Sequence, residues 1–227
     1  MNPPQTKRLL VEGYDDLFCV VGLMRHYVNW PKDKYDAPVW IEAVGSVDKI
    51  LQRDYLSASL KDPNIKTLGI MLDANGDAFA RFSSLKNLSN NFFNDLPAQL
   101  PKGGLIADNS DGKRIGLWVM PDNESKGAIE VFLKYLVPDA TTPVWEHAVR
   151  SVTQARALGA NCKDGHINKG NLFTWLAWQD EPGQSPGLAL TRKILDPSAA
   201  GAKTFAAWFI KLYSLELAID LQPRSAA

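Results

Sequence analysis

The sequence predicts an α/β fold: a mostly parallel sheet flanked by helices, with a late antiparallel strand and a helical C-terminal extension. Three observations lead there. Short apolar runs ending in turn residues alternate with amphipathic stretches as far as residue 92. Two further short apolar runs flank the turn Asp108-Asn109-Ser110-Asp111-Gly112. Beyond Pro138 no run has convincing strand character.

Taken in order, residues 7–12 read as a strand and 15–29 as a helix with Leu17, Val20, Val21 and Met24 on one side. Residues 38–45 form a second strand, and Ser46 is placed to cap a helix from 47 to about 60. Residues 67–73 are the third strand. The helix of residues 77–92 spaces Phe79, Phe82, Leu85 and Leu88 for one buried face. After a loop over 97–104, residues 105–107 and 113–120 pair as a hairpin, an antiparallel addition to the sheet edge. Residues 126–136 return to helix. Four more helices are expected at 144–158, 168–178, 187–195 and 202–215. This gives a sheet domain over 1–137, a helical extension over 138–220 packed on it, and a disordered tail over 221–227.

The chain has 227 residues, 45% of them hydrophobic, enough apolar side chain for a sizeable core. Lys+Arg and Asp+Glu number 25 each, so no global field draws it to nucleic acid or to an anionic membrane, although a local patch stays open. Cys19 falls on the apolar face of the first helix and reads as a core residue; Cys162 is far away in a different context. The N-terminus has no signal-peptide pattern and no apolar run reaches membrane-spanning length, so a soluble cytoplasmic protein is expected. Trp118, Trp145, Trp175, Trp178 and Trp208 read as packing residues rather than a base-stacking platform, because basic residues do not interleave regularly with them.

The chemistry follows from the acids. Leu9-Leu10-Val11-Glu12, Ile70-Met71-Leu72-Asp73 and Leu117-Trp118-Val119-Met120-Pro121-Asp122 are apolar strands that end in a carboxylate. An unpaired charge there costs several kcal/mol, roughly, so each acid needs a partner. Parallel strands gather ligands at their C-terminal ends, where Glu12 and Asp73 sit. Asp16 stands four residues after Glu12, and Asp77 four after Asp73. Oxygen ligands from several strand ends suit a hard cation such as Mg²⁺. For Asp15 and Asp77 taken singly, helix capping is the stronger reading.

Val11-Glu12-Gly13-Tyr14-Asp15-Asp16, followed by Met71-Leu72-Asp73-Ala74-Asn75, resembles the Toprim domain of topoisomerases, primases and OLD-family nucleases. More closely, the chain is similar to uncharacterised bacterial Toprim-like proteins known as a domain of unknown function. That likeness extends through Met120-Pro121-Asp122-Asn123, residues 127–130, Lys169, residues 173–183 with their Trp175-Leu176-Ala177-Trp178 segment, and residues 188–191. It implies a Toprim-like Rossmannoid sheet and a two-metal phosphodiester site using Mg²⁺ or Mn²⁺. Glu12 matches the first-motif glutamate, Asp16 a ligand one helical turn on, and Asp73 the first aspartate of Asp-x-Asp. The second aspartate is replaced by Asn75, whose amide ligates without charge, and Asp77 is placed to compensate. Asp122 and Glu130 fall in the later acidic region, Glu130 being equally readable as a solvated helix residue. Lys169 stands where the nucleases carry a lysine that stabilises transition-state charge; an ordinary exposed lysine is the equal alternative.

His26, His147 and His166 have no partners at zinc spacing. Two functions therefore stay open: a metal-dependent nuclease acting on DNA or RNA, with Glu12, Asp73 and Lys169 catalytic, or a Toprim scaffold that has lost chemistry and serves binding or regulation. A partner ATPase is compatible with either, and the oligomeric state is not legible.

Overall fold

The computed structural model describes residues 5–218, so the expected tail at 221–227 lies outside the described residues. Its centre is a sheet in the order β2-β1-β3-β5-β4, built from β1 (Lys7–Val11), β2 (Trp40–Ala43), β3 (Thr67–Asp73), β4 (Leu105–Asp108) and β5 (Arg114–Met120). β2, β1, β3 and β5 run parallel, and β4 alone is antiparallel. The hairpin is therefore not wholly an edge addition. β5 sits inside the sheet, paired with β3 over seven positions from Thr67↔Arg114 to Asp73↔Met120. The tight turn held by Asn109, whose Oδ1 accepts from the amides of Asp111 (3.0 Å) and Lys113 (2.8 Å), leaves β4 as the edge.

The central strands β1, β3 and β5 bury both faces, as parallel strands between helical layers do, while the edge strands β2 and β4 are only partly covered. On one face Leu10, Leu68, Ile70, Leu72, Ile115, Leu117 and Val119 meet α2 (Val47–Ile50), α3 (Arg53–Lys61) and α4 (Ala78–Ser89). The expected helix of 47–60 is two helices. A continuous helix would point Ile50 away from the face that carries Leu56 and Leu60, and the extended Gln52 between them re-aims the chain so that all three are buried. Ser46 caps α2, its Oγ accepting from the Lys49 amide at 3.3 Å. In α4 the buried stripe is Ala78, Phe82, Leu85 and Ser89, which leaves Phe79 60% exposed, against expectation.

The other face carries Leu9, Val11, Met71, Trp118 and Met120. It is covered by α1 (Tyr14–Met24), α5 (Ile129–Lys134) and the later helices α6 (Thr142–Ala157), α7 (Ile167–Leu176), α8 (Pro186–Thr191) and α9 (Ala200–Tyr213). α9 lies on β3 and β5, where Gly69 and Gly116 are register partners. A Cβ built on Gly116 would come within 2.5 Å of Leu212 Cδ2, so these glycines let the helix approach the sheet. Two hydrogen bonds fasten it, from Tyr213 Oη to Arg8 O (2.8 Å) and from Trp208 Nε1 to Leu105 O (3.0 Å). Trp118, Trp145, Trp175 and Trp208 are buried, as packing residues should be; Trp178 is 45% exposed and stacks on His147. Cys19 is buried and Cys162 partly so, both as free thiols. Among the described residues no helix is long and apolar enough to cross a membrane.

Candidate functional site

The chain leaves β1 for β2 on one side and returns to β3 on the other, so the C-terminal ends of β1 and β3 flank the point where strand order reverses. Helices then lead away on opposite faces, the arrangement at which open α/β sheets commonly bind ligands. Glu12 follows β1 and Asp73 ends β3. They touch: the Asp73 amide donates to Glu12 Oε1 at 2.9 Å.

Gly13 turns the chain into α1, and Asp16 closes a capping arrangement by accepting the Gly13 amide on Oδ2 at 2.7 Å. Caps normally face water, but Asp16 is only 7% exposed. Burial, followed by the charges of Glu12, Glu130 and Asp15, pushes its carboxyl up to about 6. Asp73 is displaced further. Burial, then the charges of Asp16, Glu12 and Glu130, raise it to about 8, although the Ile129 amide donates to its Oδ1 at 3.1 Å. Glu12 is raised by burial and held back by the Asp73 amide and the Arg81 guanidinium. Glu12 and Glu130 thus lie close enough to raise both Asp16 and Asp73. Asp16 Oδ1 and Asp73 Oδ2 accept no hydrogen bond among the described residues.

Lys169 reaches this group from α7. Its Nζ pairs with Asp15 Oδ2 at 2.9 Å, and that bond, with the charges of Glu130 and Asp16, raises its ammonium above the ordinary value. Residues 15 and 169 meet across 154 positions of sequence.

The remaining expected ligands are placed differently. Asp77 caps α4, its Oδ1 accepting the Ala80 amide at 3.1 Å. Asp122 organises its own loop, accepting the Ser125 amide (2.7 Å) and hydroxyl (2.8 Å) and the Glu124 amide (3.1 Å). Burial pulls its carboxyl up, but these bonds outweigh that and hold it below the carboxylate range. Asn75 is exposed at φ +52°, and its backbone exchanges hydrogen bonds with Gly127 at 2.8 and 3.1 Å. That bridge ties the end of β3 to the segment leading into α5, which positions the Ile129 amide over Asp73. No motif in the sequence marks Arg81. Its Nε donates to Asp73 O at 3.2 Å, and its charge favours ionised Glu12. The available signal was its place one turn beyond the Asp77 cap.

Residues 6–214 match a family described as a protein of unknown function, DUF3226. The chain belongs to that family. The matched span runs from β1 through α9, so the helices beyond Pro138 are part of the family's unit together with the sheet. No curated protein and no solved structure matches the chain.

The donor set is all oxygen, which suits a hard cation in kind. Among the described residues, no group of three or more His, Cys, Asp or Glu side chains stands arranged to hold a metal ion. The fit therefore rests on chemistry. Asp16 and Asp73 are crowded by like charge, each keeps one oxygen free of protein donors, and a bound cation would relieve the repulsion that raises them.

Proposed function

We propose that the protein is a Mg²⁺- or Mn²⁺-dependent phosphodiesterase acting on nucleic acid, with Glu12, Asp16, Asp73 and Glu130 around the cation. The observation that carries this reading is the meeting of Glu12 with Asp73 at the strand-order reversal beside buried Asp16, where Asp73, half-buried, is pushed up to about 8 and Asp16 to about 6. Groups so displaced are commonly functional. The Toprim resemblance of residues 11–16 and 71–75 supports the same chemistry. A bound cation would supply Lewis-acid stabilisation of phosphoryl oxygens and a more acidic water.

The chain's own groups have distinct tasks in this reading. Glu12, and Asp73 once a cation had displaced its proton, would hold negative charge at the two strand ends. Lys169, already drawn toward the carboxylates through Asp15, neutralises charge developing on the phosphoryl group. Arg81, Asn75 and the loop built on Asp122 fix the backbone around them. A binding scaffold without chemistry is the second reading, favoured by Asn75 in place of an aspartate and by Asp77 being engaged as a cap.

The test couples Mn²⁺ calorimetry to cleavage assays on single- and double-stranded DNA and RNA. Binding that weakens at least about tenfold in Glu12→Gln, together with Mn²⁺-dependent cleavage lost in Lys169→Ala, is expected. Binding without cleavage of any substrate selects the scaffold. Equal binding by wild type and Glu12→Gln overturns the site.

A further inference from the structure

Between residues 25 and 40 basic and aromatic residues interleave, with Arg25, Trp30, Lys32, Lys34, Tyr35 and Trp40 in one stretch. The fold folds this stretch against α1 and α8 to form a groove of about 760 Å³, bordered by Trp40, Ile41, Glu42 and Ala43 of β2. β2 is the edge of the sheet. Along the opposite wall α1 presents Tyr14 (71% exposed) and, one turn on, Phe18 (56% exposed), large apolar surfaces that no described residue covers. None of Glu12, Asp15, Asp16 and Asp73 lines the groove, but one end of it lies beside the start of α1, since Tyr14 immediately precedes Asp15 and Asp16 and Ala43 pairs with Val11, the residue before Glu12.

Three cations and one acid line the groove, with Asp33 and Asp36 exposed in the same stretch. Arg25, Lys32 and Lys34 line it, and none of them has an ion-pair partner among the described residues. The acid on the wall, Glu42, is already engaged, accepting the Tyr55 hydroxyl at 2.7 Å and facing Arg8 at 3.6 Å. Lys34 Nζ lies 5.0 Å from the centre of the Tyr35 ring and 5.8 Å from that of Trp40. Aromatic faces beside unneutralised cations form a surface for flat rings joined by anions. A second copy of the chain would bring three more cations to the same face, and a duplex would keep its bases from the aromatic wall.

We infer that this groove takes single-stranded nucleic acid, stacking bases on Tyr14 and Phe18 and setting phosphates against Arg25, Lys32 and Lys34, so that the strand runs toward the carboxylate site. This rests on the proposed function for its direction, while the groove's binding can be measured without it. Sequence tolerance is expected, since every base has a stacking face and none of these contacts reads base edges.

The experiment is fluorescence anisotropy with a short labelled oligothymidylate, and with a duplex of equal length, in EDTA so that no cleavage occurs. Wild type should bind the single strand more tightly than the duplex, with log K falling against log salt at a slope of about −2 for three phosphate contacts. The exposed triple variant Arg25→Glu, Lys32→Glu, Lys34→Glu should bind at least about tenfold more weakly, and Phe18→Ala about fivefold or more. Lys211→Glu, an exposed change on α9 outside the groove, should bind as wild type does, which ties the loss to the groove's own cations. Absence of single-strand binding, equal or tighter duplex binding, or affinity unchanged in the triple variant overturns the inference. So does a wild-type dimer, seen by sedimentation, that the triple variant dissolves without any oligonucleotide binding. Failure of Mn²⁺ to bind while the oligonucleotide still does would remove the phosphodiesterase reading and keep the groove.

Discussion

Replacing Asp73 by Asn should stabilise the metal-free protein at alkaline pH and abolish its stabilisation by cation, two effects of opposite sign from one substitution. In the folded chain the Asp73 carboxyl titrates at about 8, against 3.8 ordinarily, because burial and the charges of Asp16, Glu12 and Glu130 oppose its ionisation. A carboxyl raised on folding binds its proton more tightly in the native state, so its contribution is fully present below about pH 4 and is lost as pH rises to about 8. A displacement of that size corresponds to about 6 kcal/mol at about 1.4 kcal/mol per pH unit. Rearrangement of Glu12 and Glu130 and entry of water absorb part of it, leaving about 1–3 kcal/mol. Asn keeps the Oδ1 that accepts the Ile129 amide and carries no charge. Thermal melts in EDTA should therefore show Asp73→Asn about 3–9 °C above wild type at pH 8.5 and level with it near pH 4. Saturating Mn²⁺ should raise the wild-type melting temperature and leave the variant nearly unmoved. A variant less stable than wild type at pH 8.5 without metal, or a difference independent of pH, would refute the electrostatic account of this cluster.

Three other substitutions have definite outcomes. Asn75→Asp should fold normally, because aspartate tolerates the left-handed backbone at φ +52°, and should tighten Mn²⁺ binding by about 2–5-fold in calorimetry; unchanged affinity would place residue 75 outside the cation's reach. Lys169→Ala removes a half-exposed ion pair with Asp15, so urea melts should move by about 1 kcal/mol or less while the cleavage rate falls at least about tenfold; a parallel loss of stability and rate would make the lysine structural. Gly116→Val drives a side chain into Leu212 of α9 and should cost about 1–3 kcal/mol in urea unfolding, more than the same change at exposed Gly112, where nothing lies within 4 Å of a Cβ but the backbone strain at φ +73° remains.

The sheet was legible because its signal is local. β3 spans the expected residues 67–73 without a shift, since a run of apolar residues bounded by Lys66 and Asp73 admits one reading. The same holds for the acids at the ends of β1 and β3, where the contrast between an apolar run and a terminal carboxylate marks the site within a few residues. Helical periodicity is legible in the sequence, but breaks within a helix and the choice of buried stripe are not. The break at Gln52 and the exposure of Phe79 depend on which stripe the sheet covers, and the sequence around them is equally periodic for either choice.

Pairwise facts between distant residues were decided by tertiary structure alone. Nothing near Lys169 in sequence points to Asp15, and nothing near Asn75 points to Gly127. β5 parallel in the interior and β4 antiparallel at the edge could not be told from the reverse order, because both strands are short and apolar. The residue types fixed which groups could carry charge. Burial, which depends on what folds over them, decided that Asp73 and Asp16 are displaced while Asp77 and Asp122 are spent on a helix cap and a loop. A carboxylate's chemistry is written in the sequence, but its proton affinity is a property of the dielectric and charges around it, and these come from residues scattered along the whole chain.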